Sequence, residues 1–198
     1  MSNLGGLERW CTHFGSFKGL GLVHAITSLA DSHARQHGGH LQHLLGDTLL
    51  LAWPWAEESP RPAPAGSAQE QPEALLDAVQ AHGAVRSAIA ASKGLMAELG
   101  SVLRDAEAEH QPLGLRVAIE TGPYLLAVAG SSSSRRSLVL GPAVDMALGL
   151  LPLCDELASP VLLGEAAGSS QSPQTVQGMG QFLLPDAGQP RFVFRPLT

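Results

Sequence analysis

The sequence contains few cysteines and few basic residues, and each shortage excludes a class of protein. Its 198 residues include two cysteines, Cys11 and Cys154, which cannot form a disulfide framework and lie in no CxxC metal-binding pattern. Lys and Arg together number 12, against 18 Asp and Glu, which gives a formal net charge of -6. Because the basic residues are scattered, we expect no surface for a phosphate backbone or an anionic membrane, and no nucleic-acid partner.

The sequence also lacks long apolar runs. No run approaches the roughly 18 residues that a membrane-spanning helix needs. The start, MSNLGGLERW, has neither the basic residues nor the apolar stretch of a signal peptide. We therefore expect no membrane attachment by this chain itself and a cytoplasmic location. The hydrophobic fraction of 44% predicts one folded domain over residues 1–198.

The spacing of apolar residues predicts a helix followed by a hairpin. Residues 18–37 carry apolar side chains at helical intervals and end at a Gly-Gly turn, which is typical of an amphipathic helix. Two strands, 40–45 and 48–53, should follow, joined by a tight turn at Gly46-Asp47. Asp47 is the only charged residue in LLGDTLLLAW, so this carboxylate either stabilises the turn or binds a metal ion.

The rest of the chain predicts a mixed fold. A Pro-rich, polar segment at about 56–72 should be a surface insertion that the fold can lose. The elements predicted after it are a helix from near Glu73, two strands around 121–123, a polar loop SSSSRR, a strand SLVLG, a helix from Pro142, a strand PVLLG and a closing hairpin. This order predicts an α/β fold (an α+β sandwich) with a mixed, largely antiparallel sheet and flanking helices.

Read in this order, the sequence resembles the catalytic domain of class III adenylate and guanylate cyclases over nearly its whole length. ARQHGGHLQHLLGDTLLLAW resembles the family's helix, turn and "GD" hairpin, and LRVAIETGPYLLAVAG is similar to its following strand pair. LVLGPAVDMALGL resembles its next strand and helix, and SPVLLGEAA follows in family order. The segments LGPAVD and GDTLLLAW are most similar to the soluble, bicarbonate-responsive type. The resemblance implies a ferredoxin-like cyclase core, a second cyclase-type domain as partner in a homo- or heterodimer, and ATP as a ligand.

The resemblance also implies a metal-binding role for Asp47. Family domains use two aspartates, one in the first strand and one in the "GD" turn, to hold two Mg²⁺ or Mn²⁺ ions that act on the nucleotide. Asp47 matches the second aspartate. The first has no match, because the closest stretch is Met1–Leu4. We therefore expect a domain cut short at its N-terminus, without the central strand, in which Glu8 is a solvated helix residue and no substitute ligand.

Four further positions depart from the family's residues. His43 falls at the base-selecting Lys, and Leu138 falls at the Asp that reads the purine, where Leu cannot accept a hydrogen bond. Asp145 falls at the transition-state Asn and would bring a negative charge to the triphosphate. Gly149 falls at the Arg that stabilises charge on the phosphates. These departures argue against a self-sufficient homodimeric enzyme.

Two functions of different classes follow from these matches and departures. The first is a degenerate cyclase homology domain, inactive alone, that acts as a pairing or regulatory module in cyclic-nucleotide signalling. The second is the metal-donating half of a heterodimeric or tandem adenylate cyclase, which converts ATP to cyclic AMP and pyrophosphate with a complementary domain. The second hypothesis requires the missing aspartate to be supplied.

A cluster of histidines suggests a different site, for zinc. His33, His37, His40 and His43 lie close together in the sequence. However, a strand would direct His40 and His43 to opposite faces, and no cysteine or carboxylate completes a tetrahedral set. We therefore expect solvent-exposed histidines at a helix end.

Overall fold

The computed structural model describes residues 1–54, 71–107, 114–131, 134–185 and 188–197. Within these ranges the chain forms nine strands and six helices. The strands are β1 (Ser2–Gly5), β2 (His40–Leu45), β3 (Thr48–Ala52), β4 (Gly114–Ile119), β5 (Leu125–Ser131), β6 (Ser134–Leu140), β7 (Val161–Leu163), β8 (Val176–Phe182) and β9 (Arg191–Pro196). The helices are α1 (Leu7–Phe14), α2 (Ser16–Gln36), α3 (Gln71–Glu107), α4 (Pro142–Leu150), α5 (Leu153–Glu156) and α6 (Glu165–Ser169).

Seven strands form one mixed sheet in the order β2-β3-β1-β4-β7-β9-β8. β4 and β7 run parallel, and the other neighbouring pairs are antiparallel. β5 and β6 pair with each other as a separate two-stranded sheet. The predicted mixed, largely antiparallel sheet with flanking helices is confirmed.

Helices cover both faces of the large sheet, because successive strand residues point to opposite sides. Leu49 of β3 packs with Ile26 of α2 and Leu95 of α3. Leu50, the next residue, packs on the other face with Val144 of α4. The almost uninterrupted apolar run of β3 is therefore typical of a strand buried on both faces.

Most predicted elements lie where the sequence placed them. α2, β2 and β3 agree with the predicted bounds to within about two residues, and α4 begins at Pro142. The turn between β2 and β3 contains Gly46 with a φ of 61°. Glycine adopts this left-handed conformation without the steric cost of a Cβ atom, so the Gly-Asp pair can close the hairpin.

One boundary predicted from the sequence was wrong. Arg135 and Arg136 lie in β6, not in a polar loop before it, because the strand extends back to Ser134 and pairs with β5. The start of α3 at Gln71 agrees with the predicted start near Glu73 to within about two residues, and Pro72 lies in its first turn. A proline in the first helical turn is compatible with a helix start, since its missing N–H has no partner there. The rest of the predicted insertion, 56–70, lies outside the described residues.

The expected loss of the central strand was also wrong. Residues Ser2–Gly5 form β1 between β3 and β4, with Asn3 opposite Thr48 on one side and Arg116 on the other. Met1 extends the ladder: its nitrogen donates to the carbonyl of Ala118, whose own N–H donates to the Met1 carbonyl at 2.7 Å. The four residues of β1 include Gly5 and show too little alternation to predict a strand.

None of the described helices is long and apolar enough to cross a membrane. The cytoplasmic location stays a prediction.

Candidate functional site

Asp47 lies at the exposed tip of the β2–β3 hairpin. Its Oδ1 accepts a hydrogen bond from the hydroxyl of Thr48 at 3.2 Å, while Thr48 itself is buried. The carboxylate therefore accepts a hydrogen bond from the residue that begins β3. This contact is the one expected of a carboxylate that stabilises the turn. Because the side chain is exposed, it is also accessible to a ligand from solvent.

Asn3 is a neighbour of this turn that the sequence analysis missed. It lies directly opposite Thr48, the residue that follows Asp47. Opposite residues of an antiparallel pair have Cα atoms about 4.5–5.5 Å apart. The signal that could have identified Asn3 is the pair Asn3-Leu4, in which a carboxamide residue precedes an apolar one. This pair lies in the stretch where the family resemblance expects an aspartate. The residue beside the turn is therefore the neutral Asn3, and the match of its position to the first family aspartate stays a prediction.

The residues at this tip do not fit a site for two divalent ions. Asp47 and Asn3 offer one carboxylate and one neutral amide, whereas Mg²⁺ and Mn²⁺ are bound by several oxygens with negative charge. Within the described ranges, no group of three or more His, Cys, Asp or Glu side chains could hold a metal ion. Asp47 stays a predicted metal ligand, and these residues alone do not form a two-ion reaction centre.

The other predicted site residues fall into two places. His43 lies in β2 opposite Leu50, on the same hairpin as Asp47. Leu138 lies in β6 opposite Ala127, and Asp145 is exposed in the first turn of α4, which follows β6 directly. His43 and Asp47 therefore share one hairpin, and Leu138 and Asp145 lie on consecutive elements. No hydrogen bond or ion pair of the described residues joins the two places.

The absence of an arginine at position 149 is consistent with the local packing. A Cβ atom added to Gly149 would lie 3.3 Å from Cδ of Pro185 and 3.5 Å from Cβ of Leu184. A long side chain there would require residues 184–185 to shift. The preceding Leu148 is exposed but carries no charge. The helix α4 thus offers Asp145, and no cation, at the positions where the resemblance expects phosphate contacts.

A half-buried carboxyl group, that of Glu120, directly follows β4. Its Oε1 accepts N–H hydrogen bonds from Thr121 and from Ala167 of α6, both at 2.8 Å. Gly164 permits this approach, since a Cβ there would lie 2.0 Å from Oε2. Burial raises the pKa of Glu120, and the backbone N–H groups oppose this rise. Glu120 therefore connects β4 to the start of α6.

The raised pKa of Glu120 predicts a pH-dependent contribution to stability. The folded chain binds this proton more readily than the unfolded chain, so the contribution is present at low pH and is lost as pH rises through the folded-state pKa. The free energy of unfolding of the parent, relative to Glu120→Gln, should therefore fall as pH rises above 4.5, the ordinary value. Urea unfolding from acid to neutral pH measures this. The exposed Glu8→Gln variant is the control, and a pH-independent difference for Glu120→Gln would contradict the shift.

The histidines are less exposed than predicted. His33 Nε2 lies 2.9 Å from Oε2 of Glu98, and its ring packs against Gly94 of α3. His40 Nε2 lies 2.8 Å from Oε1 of Gln42. All four histidines are half-buried, so the expectation of solvent-exposed side chains was wrong. At His33 the cause is the packing of α3 against α2. His33 and His40 therefore have protein side chains as their hydrogen-bond partners.

The hairpin of β5 and β6 exposes one apolar face. Leu125 is opposite Leu140, and Ala127 is opposite Leu138, so these four residues share a side of the two-stranded sheet. We call them the hairpin face. Leu125 is 54% exposed, Leu140 52% and Leu138 38%. On the opposite side, Val139 packs against the core and its partner Leu126 is 38% exposed.

The sequence matches no protein-family model and no curated protein. Its structure is similar to those of nucleotide cyclases. The adenylyl cyclase CyaB from P. aeruginosa gives a TM-score of 0.73 at 15% identity, over 100% of this chain and 91% of that one. The guanylate cyclase domain of RhGC from Catenaria anguillulae, solved in complex with GTP, gives 0.68 at 10% identity, over 100% and 93%. A bacterial light-regulated adenylyl cyclase gives 0.69 at 16% identity, over 98% and 49%. The chain thus has the fold of class III cyclase catalytic domains.

Proposed function

We propose that this chain is a cyclase-like domain that pairs with a second cyclase-type domain and does not catalyse alone. It would act as a pairing or regulatory module in cyclic-nucleotide signalling. The observation that carries the proposal is the hairpin face, a row of exposed leucines on a small sheet apart from the main one.

The hairpin face has the properties of an interface. A two-stranded hairpin has little stability of its own and gains it by packing. Contiguous exposed apolar residues on a soluble domain are typical of protein-binding surfaces. Leu138 belongs to the hairpin face and adds apolar area to it. The same position is the one where the resemblance expects a carboxylate that reads the purine, so one residue bears on both pairing and catalysis.

We expect self-association that depends on the hairpin face. Burying a leucine contributes about 1.5–3 kcal/mol, and each 1.4 kcal/mol changes affinity about tenfold. The double variant Leu138→Asp/Leu140→Asp should therefore weaken association at least about tenfold, because it also introduces two charges. Sedimentation velocity over a wide concentration range measures the dissociation constant.

The matched control is Leu183→Asp, since Leu183 is 71% exposed but lies outside the hairpin. It should leave association unchanged, and circular dichroism checks that each variant is folded. If the parent chain stays monomeric and also fails to bind an active cyclase domain of the same fold, the pairing proposal is wrong. Equal weakening by Leu183→Asp would place the interface elsewhere.

The alternative function is the metal-donating half of a two-domain adenylate cyclase. The exposure of Asp47 at the hairpin tip favours it, because a donated carboxylate must reach solvent and nucleotide. Mixing the chain with a domain that supplies the base-reading and phosphate-binding groups would distinguish the two functions. Formation of cyclic AMP from ATP that Asp47→Ala abolishes would support the alternative and exclude a purely regulatory module.

A further inference from the structure

A cavity of about 110 Å³ lies beside the large sheet strands β3 and β4, and we call it the sheet cavity. Leu51 of β3 and Ile119 of β4 line it. Val85 of α3 lines it from one face of the sheet, and Val144 of α4 lines it from the opposite face. An apolar cavity of about 150 Å³ can hold benzene, whereas pockets for drug-sized ligands measure about 300–1,000 Å³. The sheet cavity therefore has room for a molecule of about five heavy atoms and not for a nucleotide.

The wall of the sheet cavity is mostly apolar but includes polar side chains, which are those of Trp53, Ser92, Glu120, Thr121 and Tyr124. Two of these have already used their hydrogen-bond donor. The indole nitrogen of Trp53 donates to the carbonyl of His37 at 3.2 Å, and the hydroxyl of Ser92 donates to the carbonyl of Ala88 at 2.7 Å. The Ser92 oxygen keeps lone pairs, and an ionised Glu120 carboxylate can only accept. A ligand that brings its own N–H or O–H donors therefore matches these groups.

The charge of the wall favours a cationic donor. Of the described residues that line the sheet cavity, Glu120 alone carries a carboxyl group, and none is a Lys, Arg or His. Glu165, whose charge also acts on Glu120, is paired with Arg191 at 3.3 Å. Burial raises the pKa of Glu120, because the charged carboxylate loses contact with water. A ligand with a positive charge would stabilise the carboxylate, whereas an anion would be repelled by it.

We propose that the sheet cavity binds a small apolar amine, with its hydrocarbon part between Val85 and Val144 and its ammonium group at the carboxylate of Glu120. The apolar wall contributes by burying the hydrocarbon part. The carboxylate selects the cation, because hydrogen bonds between charged groups are about twice as strong as those between neutral groups. The ligand therefore differs in size and in charge from a nucleoside triphosphate, and the site is separate from the residues that the resemblance assigns to the nucleotide.

The test compares isobutylamine, isobutanol and isobutyrate, which share a branched hydrocarbon part and are a cation, a neutral molecule and an anion at neutral pH. Each is titrated into the full chain at constant ionic strength, and the methyl NMR signals of Val85 and Val144 report binding in the sheet cavity. Isobutylamine should bind about tenfold more tightly than isobutanol. Isobutyrate should leave both sets of methyl signals unchanged.

Three variants locate the site. Glu120→Gln removes the charge at nearly constant size, so it should reduce the affinity for isobutylamine to that for isobutanol and change the latter by less than about twofold. Ala84→Leu adds volume at a half-buried position that lines the cavity, and it should weaken the binding of both ligands. Ala90→Leu is the matched control, because Ala90 is also half-buried on α3 but does not line the cavity. Ala84→Leu also tests the site if Glu120→Gln does not fold.

Four results would overturn the proposal. If none of the three ligands shifts the methyl signals, the cavity binds no small amine. If isobutanol or isobutyrate binds as tightly as isobutylamine, the cavity does not select a cation. If the preference for the amine survives Glu120→Gln, this carboxylate does not bind the ammonium group. If Ala90→Leu weakens binding as much as Ala84→Leu, the ligand lies elsewhere. None of these measurements involves a nucleotide or pairing, so they are independent of the proposed function.

Discussion

Incubated with ATP or GTP and Mn²⁺, the purified chain should form no cyclic nucleotide above a heat-killed control. The expectation rests on the side chains at the positions that the family resemblance assigns to the nucleotide. Leu138 is a hydrocarbon side chain that can neither accept from nor donate to a purine edge. A pairing of two identical copies would repeat this deficiency at both sites.

The residues at the positions that the resemblance assigns to the phosphates predict a further loss of turnover. Asp145 is exposed in the first turn of α4, where its charge would repel a triphosphate, and Gly149 offers no cation. Removing a single group that stabilises transition-state charge typically lowers turnover by about 100- to 1,000-fold. Losses at two such positions, together with the lost base contact, should place any turnover below detection.

The assay separates cyclic nucleotide from substrate by chromatography and includes an active cyclase domain as positive control. Both nucleotides are needed, since the fold is similar to adenylyl and to guanylyl cyclases. Clear turnover by the parent chain that disappears in Asp47→Ala would contradict the proposed function, because it would make Asp47 part of a working reaction centre. Turnover that Asp47→Ala leaves intact would indicate a contaminating enzyme.

The sequence predicted those parts of the fold that depend on local patterns. The helix α2 and the β2–β3 hairpin carry helical spacing, a Gly-Gly end and a Gly-Asp turn within one continuous stretch. Their bounds could be read because each signal lies inside the element that it specifies. The exposed tip position of Asp47 follows from the same turn.

The parts that could not be predicted depend on distant pairings. β1 is a strand because β4 pairs with all four of its residues and β3 pairs with Ser2 and Asn3, and neither partner is near it in the sequence. The same pairing places Asn3 beside the Asp47 turn, so a residue close to the candidate site was overlooked. Glu120 likewise accepts a hydrogen bond from Ala167 of α6, an element that is distant from it in the sequence. These placements follow from tertiary contacts and not from local pattern.

Replacing Asn3 with aspartate should make the chain sensitive to divalent cations. Asn3 lies opposite Thr48, the residue that follows Asp47, so Asn3→Asp would place a second carboxylate-bearing residue beside the Asp47 turn. Without metal, the two negative charges repel and should lower the melting temperature slightly. With Mg²⁺ or Mn²⁺, two carboxylates provide hard oxygen ligands with enough charge to bind an ion.

The expected size of the effect follows from ligand linkage. An ion present at about 100 times its dissociation constant stabilises the folded state by about 2.7 kcal/mol. For a chain of this length, that corresponds to a rise of roughly 5–10 °C in melting temperature. The parent chain, with one carboxylate at the tip, should hardly respond to the same ions, because Mg²⁺ keeps most of its waters when it gains a single ligand.

Differential scanning calorimetry with increasing Mg²⁺ and Mn²⁺ measures this effect in four variants. Asn3→Asp should show the rise, and Asn3→Asp/Asp47→Asn should lose it, since that double variant again has a single carboxylate. Thr12→Asp, which adds a carboxylate at an exposed position of α1, controls for nonspecific charge screening and should behave like the parent. If the parent itself is strongly stabilised and Asp47→Asn leaves that response intact, the ions bind elsewhere and Asp47 is not a metal ligand. If Asn3→Asp responds no more than Thr12→Asp, residues 3 and 47 do not form a shared site, and the register of β1 does not place the first family aspartate at position 3.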